Sequence, residues 1–287
     1  MTANIPELRH KPLLVCIGGA HSSCGKTTLA ERLLKRLTER KKGAWGAVKY
    51  TQTAFYTSLS DAAETISQSD KDTTRLLIAG AQKAQWIQSP RHELEEILRI
   101  AIDKFWDMDG ILVEGNSPTE YIDFDVVAFV FGEDPLKVKD SAKRALEKAS
   151  VLVLREFPPD INQMPYVPLS CGVKTCNISS EQWDAVTAAE NTADNPNIDP
   201  NIDPNIDPNI DPNIDPNIDW DSCAQVIENE IVKKEIVNTL TGLSCDGRIP
   251  CALARKAAEL LGISYNKFGE AANALNIRIT TCELGCF

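Results

Sequence analysis

Residues 20–28 read Ala20-His21-Ser22-Ser23-Cys24-Gly25-Lys26-Thr27-Thr28. An apolar run at 13–17 precedes this stretch, and an amphipathic run extends from it to residue 40. A buried strand, a short loop and a helix that opens with Gly-Lys-Thr are typical of the phosphate-binding loop of nucleoside triphosphatases. The pattern therefore predicts a P-loop fold, with alanine at position 20 where the first glycine of the pattern usually stands.

The backbone and the charges of such a loop explain its chemistry. Successive N–H groups point inward and form an anion-binding nest, and the following helix N-terminus adds positive potential. We expect the motif lysine to reach the β- and γ-phosphates and the next threonine to ligate Mg²⁺. The residues predicted to surround the nucleotide phosphates are Ser22, Ser23, Cys24, Gly25, Lys26, Thr27 and Thr28.

A carboxylate further along the chain completes the predicted site. Residues 110–115 read as a buried strand that ends in Glu114 and a glycine. A carboxylate at the carboxyl end of a neighbouring strand can hold Mg²⁺ directly or through water. Thr27 and Glu114 are thus the expected magnesium ligands, and Lys26 and Glu114 the expected catalytic residues. The alternative is a solvated glutamate at a strand end.

Length and composition limit the class of protein. The chain has 287 residues, of which 43% are hydrophobic and 25% charged, as in ordinary folded proteins. The formal net charge of -11 argues against broad nucleic-acid binding. No apolar run reaches the roughly 18 residues of a membrane span, and we expect a cytoplasmic protein. Nine cysteines then suggest thiols or metal ligands rather than disulfides.

Strand-like and helix-like segments alternate along the chain, which predicts a parallel sheet with helices on both faces. The predicted strands are 13–17, 44–49, 85–87, 110–115, 125–131 and 151–154, with a further candidate at 171–179. The predicted helices are 27–42, 72–79, 93–105, 135–148 and 220–240. The polar stretch 50–69 predicts a loop.

Composition changes abruptly at residue 196, where Pro-Asn-Ile-Asp begins to repeat six times up to residue 219. A proline at every fourth position forbids a helix. The repeat is either a spacer of turns or an expansion in a tolerant loop. We predict a nucleotide-binding domain over 1–241, with 196–219 as an insertion, and a smaller unit over 242–287.

The smaller unit resembles a helix-turn-helix in outline. Helices are predicted at 251–261 and 265–275, with a turn at 262–264 and a strand at 277–280. Lys267 is the one basic residue of the second helix, and Glu270 offsets it, so a nucleic-acid partner is not expected.

Four cysteines bracket these two helices. They are Cys245, Cys251, Cys282 and Cys286. Four thiolates brought together would suit Zn²⁺ or an iron–sulfur cluster. The other interpretation is a set of small buried thiols.

Further candidates lie in and after the second predicted strand. Lys49 and Thr51 end that strand, and Asp72 and Arg75 open the next helix. These side chains either contact nucleotide or substrate, or form ion pairs with each other. Cys24 has two interpretations as well: a thiol made reactive by the helix N-terminus, acting as a redox brake, or simply a small residue.

Four motifs in this order resemble the MobB family: 25–29 Gly-Lys-Thr-Thr-Leu, 49–51 Lys-Tyr-Thr, 71–81 Lys-Asp-x-x-Arg-Leu-x-x-Ala-Gly-Ala, and 111–115 Ile-Leu-Val-Glu-Gly. The resemblance covers roughly residues 12–155. It implies a P-loop, GTP-binding adaptor in molybdopterin-guanine dinucleotide synthesis. Such a protein binds GTP with Mg²⁺, hydrolyses it slowly and assists a partner guanylyltransferase that couples GMP to molybdopterin. Lys49, Thr51 and Asp72 then join the nucleotide-binding residues.

The chain departs from the family's usual pattern at Ser23, where glycine is common, at Tyr50, where histidine is usual, and at Asn116-Ser117, where the family tends to have Phe-Lys. No guanine-reading Asn-Lys-x-Asp motif is present in the sequence. The expectation of GTP rather than ATP therefore rests on the resemblance alone. Two alternatives stay open: an ATP-dependent small-molecule kinase or ligase, and a nucleotide-gated regulator. A homodimer is one option for the assembly.

Overall fold

The structure, a computed structural model, describes residues 11–41, 43–61, 71–154, 174–177 and 219–281. The strands are β1 Leu13–Gly19, β2 Trp45–Gln52, β3 Ser58–Asp61, β4 Lys83–Ser89, β5 Gly110–Glu114, β6 Val126–Val130, β7 Val151–Leu154, β8 Lys174–Asn177, β9 Arg248–Pro250 and β10 Arg278–Thr280. The helices are α1 Lys26–Lys41, α2 Lys71–Ile78, α3 Leu94–Asp103, α4 Asp140–Glu147, α5 Trp220–Leu243, α6 Cys251–Leu261 and α7 Tyr265–Ala274.

Eight strands form one sheet in the order β3-β4-β2-β5-β1-β6-β7-β8. Every neighbouring pair is parallel except β3 and β4, which pair antiparallel at one edge. β1 lies between β5 and β6 at the centre, so the loop after it begins at the middle of the carboxyl edge. The predicted class, a P-loop-type α/β fold with a mainly parallel sheet, is confirmed.

Helices cover both faces of this sheet. One buried cluster joins α1, α2 and the first half of α5 to one face. Two other clusters join α3 and α4 to the opposite face. The apolar stripe of α1 is buried as its spacing predicts: Leu29, Leu33 and Leu34 are fully buried and Leu37 is 4% exposed.

The prediction of a loop over 50–69 is wrong for residues 50–52 and 58–61, and holds for residues 53–57 between them. β2 extends to Gln52, and β3 forms an antiparallel edge strand. β3 is polar because it lies at the edge of the sheet, and its ends are fixed to β4 by side chains as well: Ser58 Oγ lies 3.2 Å from Gln88 Oε1 and Gln85 Nε2 lies 2.6 Å from Asp61 Oδ1. An edge strand of this kind lacks the apolar alternation that identifies strands in a sequence.

The helix predicted over 135–148 begins later, at Asp140. The residue before it, Lys139, is extended, with φ -65° and ψ 148°. Its backbone N–H donates to the carbonyl of Ala20 in the phosphate loop, at 3.1 Å. The start of α4 is therefore set by a contact with a distant loop, which local periodicity does not contain.

A second core lies in the C-terminal part of the chain. Its buried members come from the second half of α5, from β9, α6 and α7, and from the residue before β10. Gly262 ends α6 in the left-handed region, and Ser264 caps α7 by accepting from Lys267 N at 3.2 Å, as the predicted turn requires.

Helix α5 supplies buried side chains to both cores. Ile227 and Ile231 belong to the core of the large sheet, and Val232 and Ile236 belong to the C-terminal core. The division of the chain at 241/242 therefore stays a prediction. The Pro-Asn-Ile-Asp repeat lies outside the described residues except for Asp219, which caps α5. Within the described ranges, no helix combines the length and the apolar character needed to span a membrane.

Candidate nucleotide-binding site

The loop between β1 and α1 is held at the carboxyl edge of the sheet by backbone hydrogen bonds. Ala20 N–H donates to Val130 O on the neighbouring strand β6 at 2.9 Å. Ala20 is fully buried and does not adopt positive φ, so a glycine is not required there. Gly25 does adopt positive φ, at 97°, and its carbonyl accepts the first helical N–H of α1.

Ser23 lies at the tip of this loop in the left-handed region, with φ 60°. Glycine adopts this conformation without strain, whereas serine does so at a cost on the order of 1 kcal/mol. The structure thus provides a physical reason why glycine is common at this position in the family that the sequence resembles.

The Lys26 side chain folds back over the loop. Its ammonium Nζ donates to the carbonyl of His21 at 2.8 Å and lies 3.7 Å from Cys24 Sγ. The charge is therefore directed at the loop and not at the solvent side of α1. An ammonium in this position can transfer its hydrogen bonds to phosphate oxygens when an anion occupies the loop.

Glu114 and Thr27 lie together, as the sequence predicts. The Thr27 hydroxyl is 3.0 Å from Oε1 and 3.1 Å from Oε2 of Glu114, and Glu114 is only 5% exposed. The strand register explains the meeting, since Glu114 pairs with Ile17 of β1 two residues before that strand ends. Among the described residues, no cation pairs with this buried carboxylate.

A buried carboxylate with a hydroxyl as its partner is an unusual arrangement, because an unpaired buried charge is costly. Its charge is felt by the neighbouring Cys16 thiol. Burial raises the pKa of Cys16, and the negative charge of Glu114 raises it further. A carboxylate and a hydroxyl are hard oxygen donors of the kind Mg²⁺ prefers, so this pair fits the ion that the P-loop chemistry implies.

The predicted residues Lys49 and Asp72 form an ion pair beside this site. Lys49 is the register partner of Glu114 on β2. Asp72 also lies 3.6 Å from Arg75, which makes a two-pronged contact with Glu31 of α1 at 2.6 and 2.8 Å. Lys49, Asp72, Arg75 and Glu31 thus connect α2 to α1 and to the end of β2. Of the two interpretations given for Lys49, Asp72 and Arg75, the structure shows the ion pairs.

Two other predicted residues have different surroundings. Thr51 accepts a hydrogen bond from Trp86 Nε1 at 3.0 Å, and Thr28 is 7% exposed in the first turn of α1. Ser22 is exposed, and its hydroxyl lies 3.3 Å from Lys139 Nζ. Lys139 thus adds a second ammonium to the outer side of the loop.

Cys24 is buried, with 3% of its surface exposed. Its sulfur packs so closely against Gly19 that a Cβ at that glycine would lie 2.5 Å from it. This packing favours the interpretation of Cys24 as a small buried residue.

The predicted cysteine cluster falls only partly within the structure. Cys245 is exposed and Cys251 is partly buried. Cys282 and Cys286 lie outside the described residues. No group of three or more metal-binding side chains occurs in the part of the chain that is described, and a Zn²⁺ or iron–sulfur site stays a prediction.

Asn116 is a site residue that sequence reasoning missed. Its Oδ1 accepts from Gly19 N–H at 2.8 Å, and its Nδ2 donates to Gly19 O at 2.9 Å. The side-chain amide thus clamps the last residue of β1, where the phosphate loop begins. The sequence contained one indication of this role, since Asn116 departs from the usual family pattern at that position.

Trp220 is the other missed residue. It is the first residue of α5, and its ring lies against Gly25 of the phosphate loop. A Cβ at Gly25 would be 2.2 Å from Cη2 of this ring. No sequence pattern signals this contact, because the predicted loop and the predicted helix are separated by almost 200 residues.

Tyr50 is buried at the end of β2, and its hydroxyl donates to Ser89 O at 3.1 Å. Tyr50→Phe is expected to lower the free energy of unfolding by about 1 kcal/mol at pH 7, since it removes this buried hydrogen bond. The Ser89 carbonyl keeps its second bond, from Thr53 N–H at 3.1 Å. Burial raises the pKa of Tyr50 above its usual value. The wild type therefore loses stability as pH rises beyond about 10.

Urea unfolding at pH 7 and above pH 10 tests both effects. The difference between wild type and Tyr50→Phe should shrink or reverse at high pH, because phenylalanine has no proton to lose. A difference that is independent of pH would contradict the burial argument. Tyr56→Phe, on an exposed side chain, is the matched control.

Together, the fold and the site define a P-loop nucleotide-binding protein. The central strand leads into a loop that carries an ammonium, and a threonine hydroxyl meets a carboxylate from the neighbouring strand. Residues 14–145 match a sequence model of the MobB family, described as molybdopterin guanine dinucleotide synthesis protein B. These residues are a MobB-family domain, which confirms the resemblance found in the sequence.

The match covers slightly less than half of the 287 residues and includes the loop, Glu114 and Asn116. Helix α5 and the C-terminal core lie beyond it. A comparison with curated proteins finds no match to the chain.

Proposed function

We propose that the protein binds GTP together with Mg²⁺ at the phosphate loop, hydrolyses it slowly, and assists a partner guanylyltransferase in coupling GMP to molybdopterin. The observation that carries the proposal is the contact of the Thr27 hydroxyl with the buried Glu114 carboxylate, next to Lys26 in the loop. The family match supports the pathway, since it connects residues 14–145 with molybdopterin guanine dinucleotide synthesis.

Each residue of the pair has a distinct role in this proposal. The Thr27 hydroxyl and the Glu114 carboxylate would hold Mg²⁺, and Lys26 would bind the β- and γ-phosphates. A bound Mg²⁺ ion would neutralise phosphate charge and polarise the oxygen atoms of the terminal phosphate. Glu114 is buried and has no cationic partner among the described side chains, and binding of the ion would supply one.

Glu114→Gln tests the magnesium role. Glutamine keeps the size of the side chain and removes its charge. We expect GTP affinity in the presence of Mg²⁺ to fall by roughly tenfold or more, because a charge-assisted contact to the ion is lost. Affinity in the presence of a chelator should change little, because that contact is then absent in both proteins.

Calorimetric titration of GTP with Mg²⁺ and with EDTA measures this difference. Asp109→Asn is the matched control: this carboxylate precedes the same strand at its opposite end, where it accepts from Ala44 N. Equal Mg²⁺ dependence of GTP binding in wild type and Glu114→Gln would contradict the assignment.

Competition between ATP and GTP for the site tests which base the protein prefers. Titrating ATP against a fluorescent GTP analogue should leave the analogue bound at concentrations where unlabelled GTP displaces it. Preferential displacement by ATP would instead favour an ATP-dependent kinase or ligase. Addition of purified guanylyltransferase and molybdopterin then tests the adaptor role, with formation of the dinucleotide as the readout.

A further inference from the structure

The indole ring of Trp220 forms part of the wall of the phosphate loop. Its six-membered ring lies against Gly25, with Cη2, Cζ2 and Cζ3 at 2.2, 2.6 and 3.2 Å from the position of a Cβ on that glycine. Gly25 has positive φ and directly precedes Lys26. A side chain from a distant part of the sequence thus contacts the part of the loop closest to the predicted phosphates.

The indole N–H of Trp220 is a buried donor without a partner. Trp220 is 6% exposed, and its Nε1 has no hydrogen-bond acceptor among the residues that the structure describes. Three other buried side-chain polar atoms among the described residues also lack hydrogen-bond partners: Arg40 Nη1, Gln85 Oε1 and Ser89 Oγ. Of these four residues, Trp220 is the one that packs against the phosphate loop, at Gly25.

A buried donor without an acceptor costs free energy in the folded protein. Trp220 does not escape this cost by turning to solvent, because α5 is fixed along α1. Arg36 contacts Glu228 at 3.0 Å, and Arg40 contacts Glu235 at 2.7 Å. Asp219 caps the helix start by accepting from Ser222 N at 3.0 Å. The donor is therefore held in place beside the loop before any ligand arrives.

We propose that Trp220 is a nucleotide-binding residue, whose indole N–H donates to an acceptor oxygen of the nucleoside triphosphate held by the phosphate loop. The inference rests on the proposed function, because the loop must bind a nucleotide. Cζ2 is two bonds from Nε1, so the donor is within a few bond lengths of the loop at Gly25. A fixed donor that gains its acceptor only on binding contributes to affinity without an ordering cost.

Trp220→Phe tests the inference, since phenylalanine keeps an aromatic ring and removes the N–H. We expect GTP affinity to fall about tenfold, the effect of one hydrogen bond to a charged or strongly polar acceptor. Trp45→Phe is the matched control. Trp45 is 3% exposed and also packs its six-membered ring on a glycine, with Cη2 2.4 Å from a Cβ position at Gly110.

Trp45 begins β2 and Gly110 begins β5, so this control lies at the opposite edge of the sheet from the loop. Both variants lose comparable ring packing, and thermal unfolding without nucleotide should show similar losses. Only Trp220→Phe should then lose GTP affinity. The same comparison with inorganic triphosphate locates the acceptor: a loss with both ligands indicates a phosphate oxygen, and a loss with GTP alone indicates sugar or base.

Two results would overturn the inference in different ways. Equal GTP affinity of wild type, Trp45→Phe and Trp220→Phe would remove Trp220 from the binding site and leave the proposed function intact. No GTP binding by the wild type would overturn the proposed function and this inference with it.

Discussion

Replacing Lys26 with alanine is expected to weaken GTP binding by about 100-fold or more. In the structure the ammonium is already turned toward the loop, where it donates to the carbonyl of His21. Contacts to two phosphates would each be charge-assisted and stronger than this neutral acceptor provides. Alanine removes the contacts and leaves the phosphates with the backbone N–H groups, the helix N-terminus and the proposed Mg²⁺ ion.

Equilibrium titration with GTP and Mg²⁺ measures this loss, and a circular dichroism spectrum shows whether the variant is folded. Lys35→Ala is the control, because Lys35 is exposed on the same helix and outside the loop. It removes the same charge from the chain, so a purely long-range electrostatic effect would appear in both variants. Equal affinity of wild type and Lys26→Ala would contradict the proposed site altogether.

Gly46→Ala is expected to lower the free energy of unfolding by about 2 to 3 kcal/mol, within the range for overpacking a core. Gly46 lies in β2, and a Cβ there would be 2.2 Å from Cδ1 and 2.6 Å from Cε1 of Phe105. Phe105 is fully buried, so its ring cannot move aside into solvent. The strand and α3 must therefore move apart to admit one methyl group.

Urea unfolding of Gly46→Ala and Gly269→Ala gives a matched comparison of the same substitution. Gly269 is inside α7, and apart from its chain neighbours and the backbone of its own helix no described atom lies within 4 Å of the position of its Cβ. Alanine there should raise stability by up to about 1 kcal/mol, because glycine is a poor helix former. Stabilisation by both substitutions would show that the region between β2 and Phe105 is not tightly packed.

The parts of the site that were predictable are those in which local sequence and sheet topology act together. The run before residue 20 and the stripe of leucines after Thr28 fix a strand and a helix, and therefore the loop between them. The position of Glu114 follows because a buried strand in a parallel sheet ends at the same edge as β1. The contact between Glu114 and Thr27 could therefore be predicted from the strand–loop–helix pattern and the shared edge of the parallel strands.

The parts that were not predictable depend on contacts between distant segments. Asn116 acts through Gly19, and Trp220 acts through Gly25, so neither role leaves a periodic pattern in the sequence. The late start of α4 has the same origin, since Lys139 N–H bonds to Ala20. Strand β3 was missed for a different reason: at the edge of the sheet its residues are polar, and the sequence resembles a loop.

Helix α5 fixes the spacing and the rotation between the two cores that it joins. Its 24 residues span about 36 Å without interruption, with the phosphate loop beside its first residue and the C-terminal core around its second half. Each residue turns an α-helix by about 100°, so a single insertion between Ile231 and Val232 would direct one of the two apolar stripes away from its core. A change in the length of this helix therefore keeps both apolar stripes facing their cores only when it is close to a whole number of turns, such as about seven residues for two turns or about eleven for three.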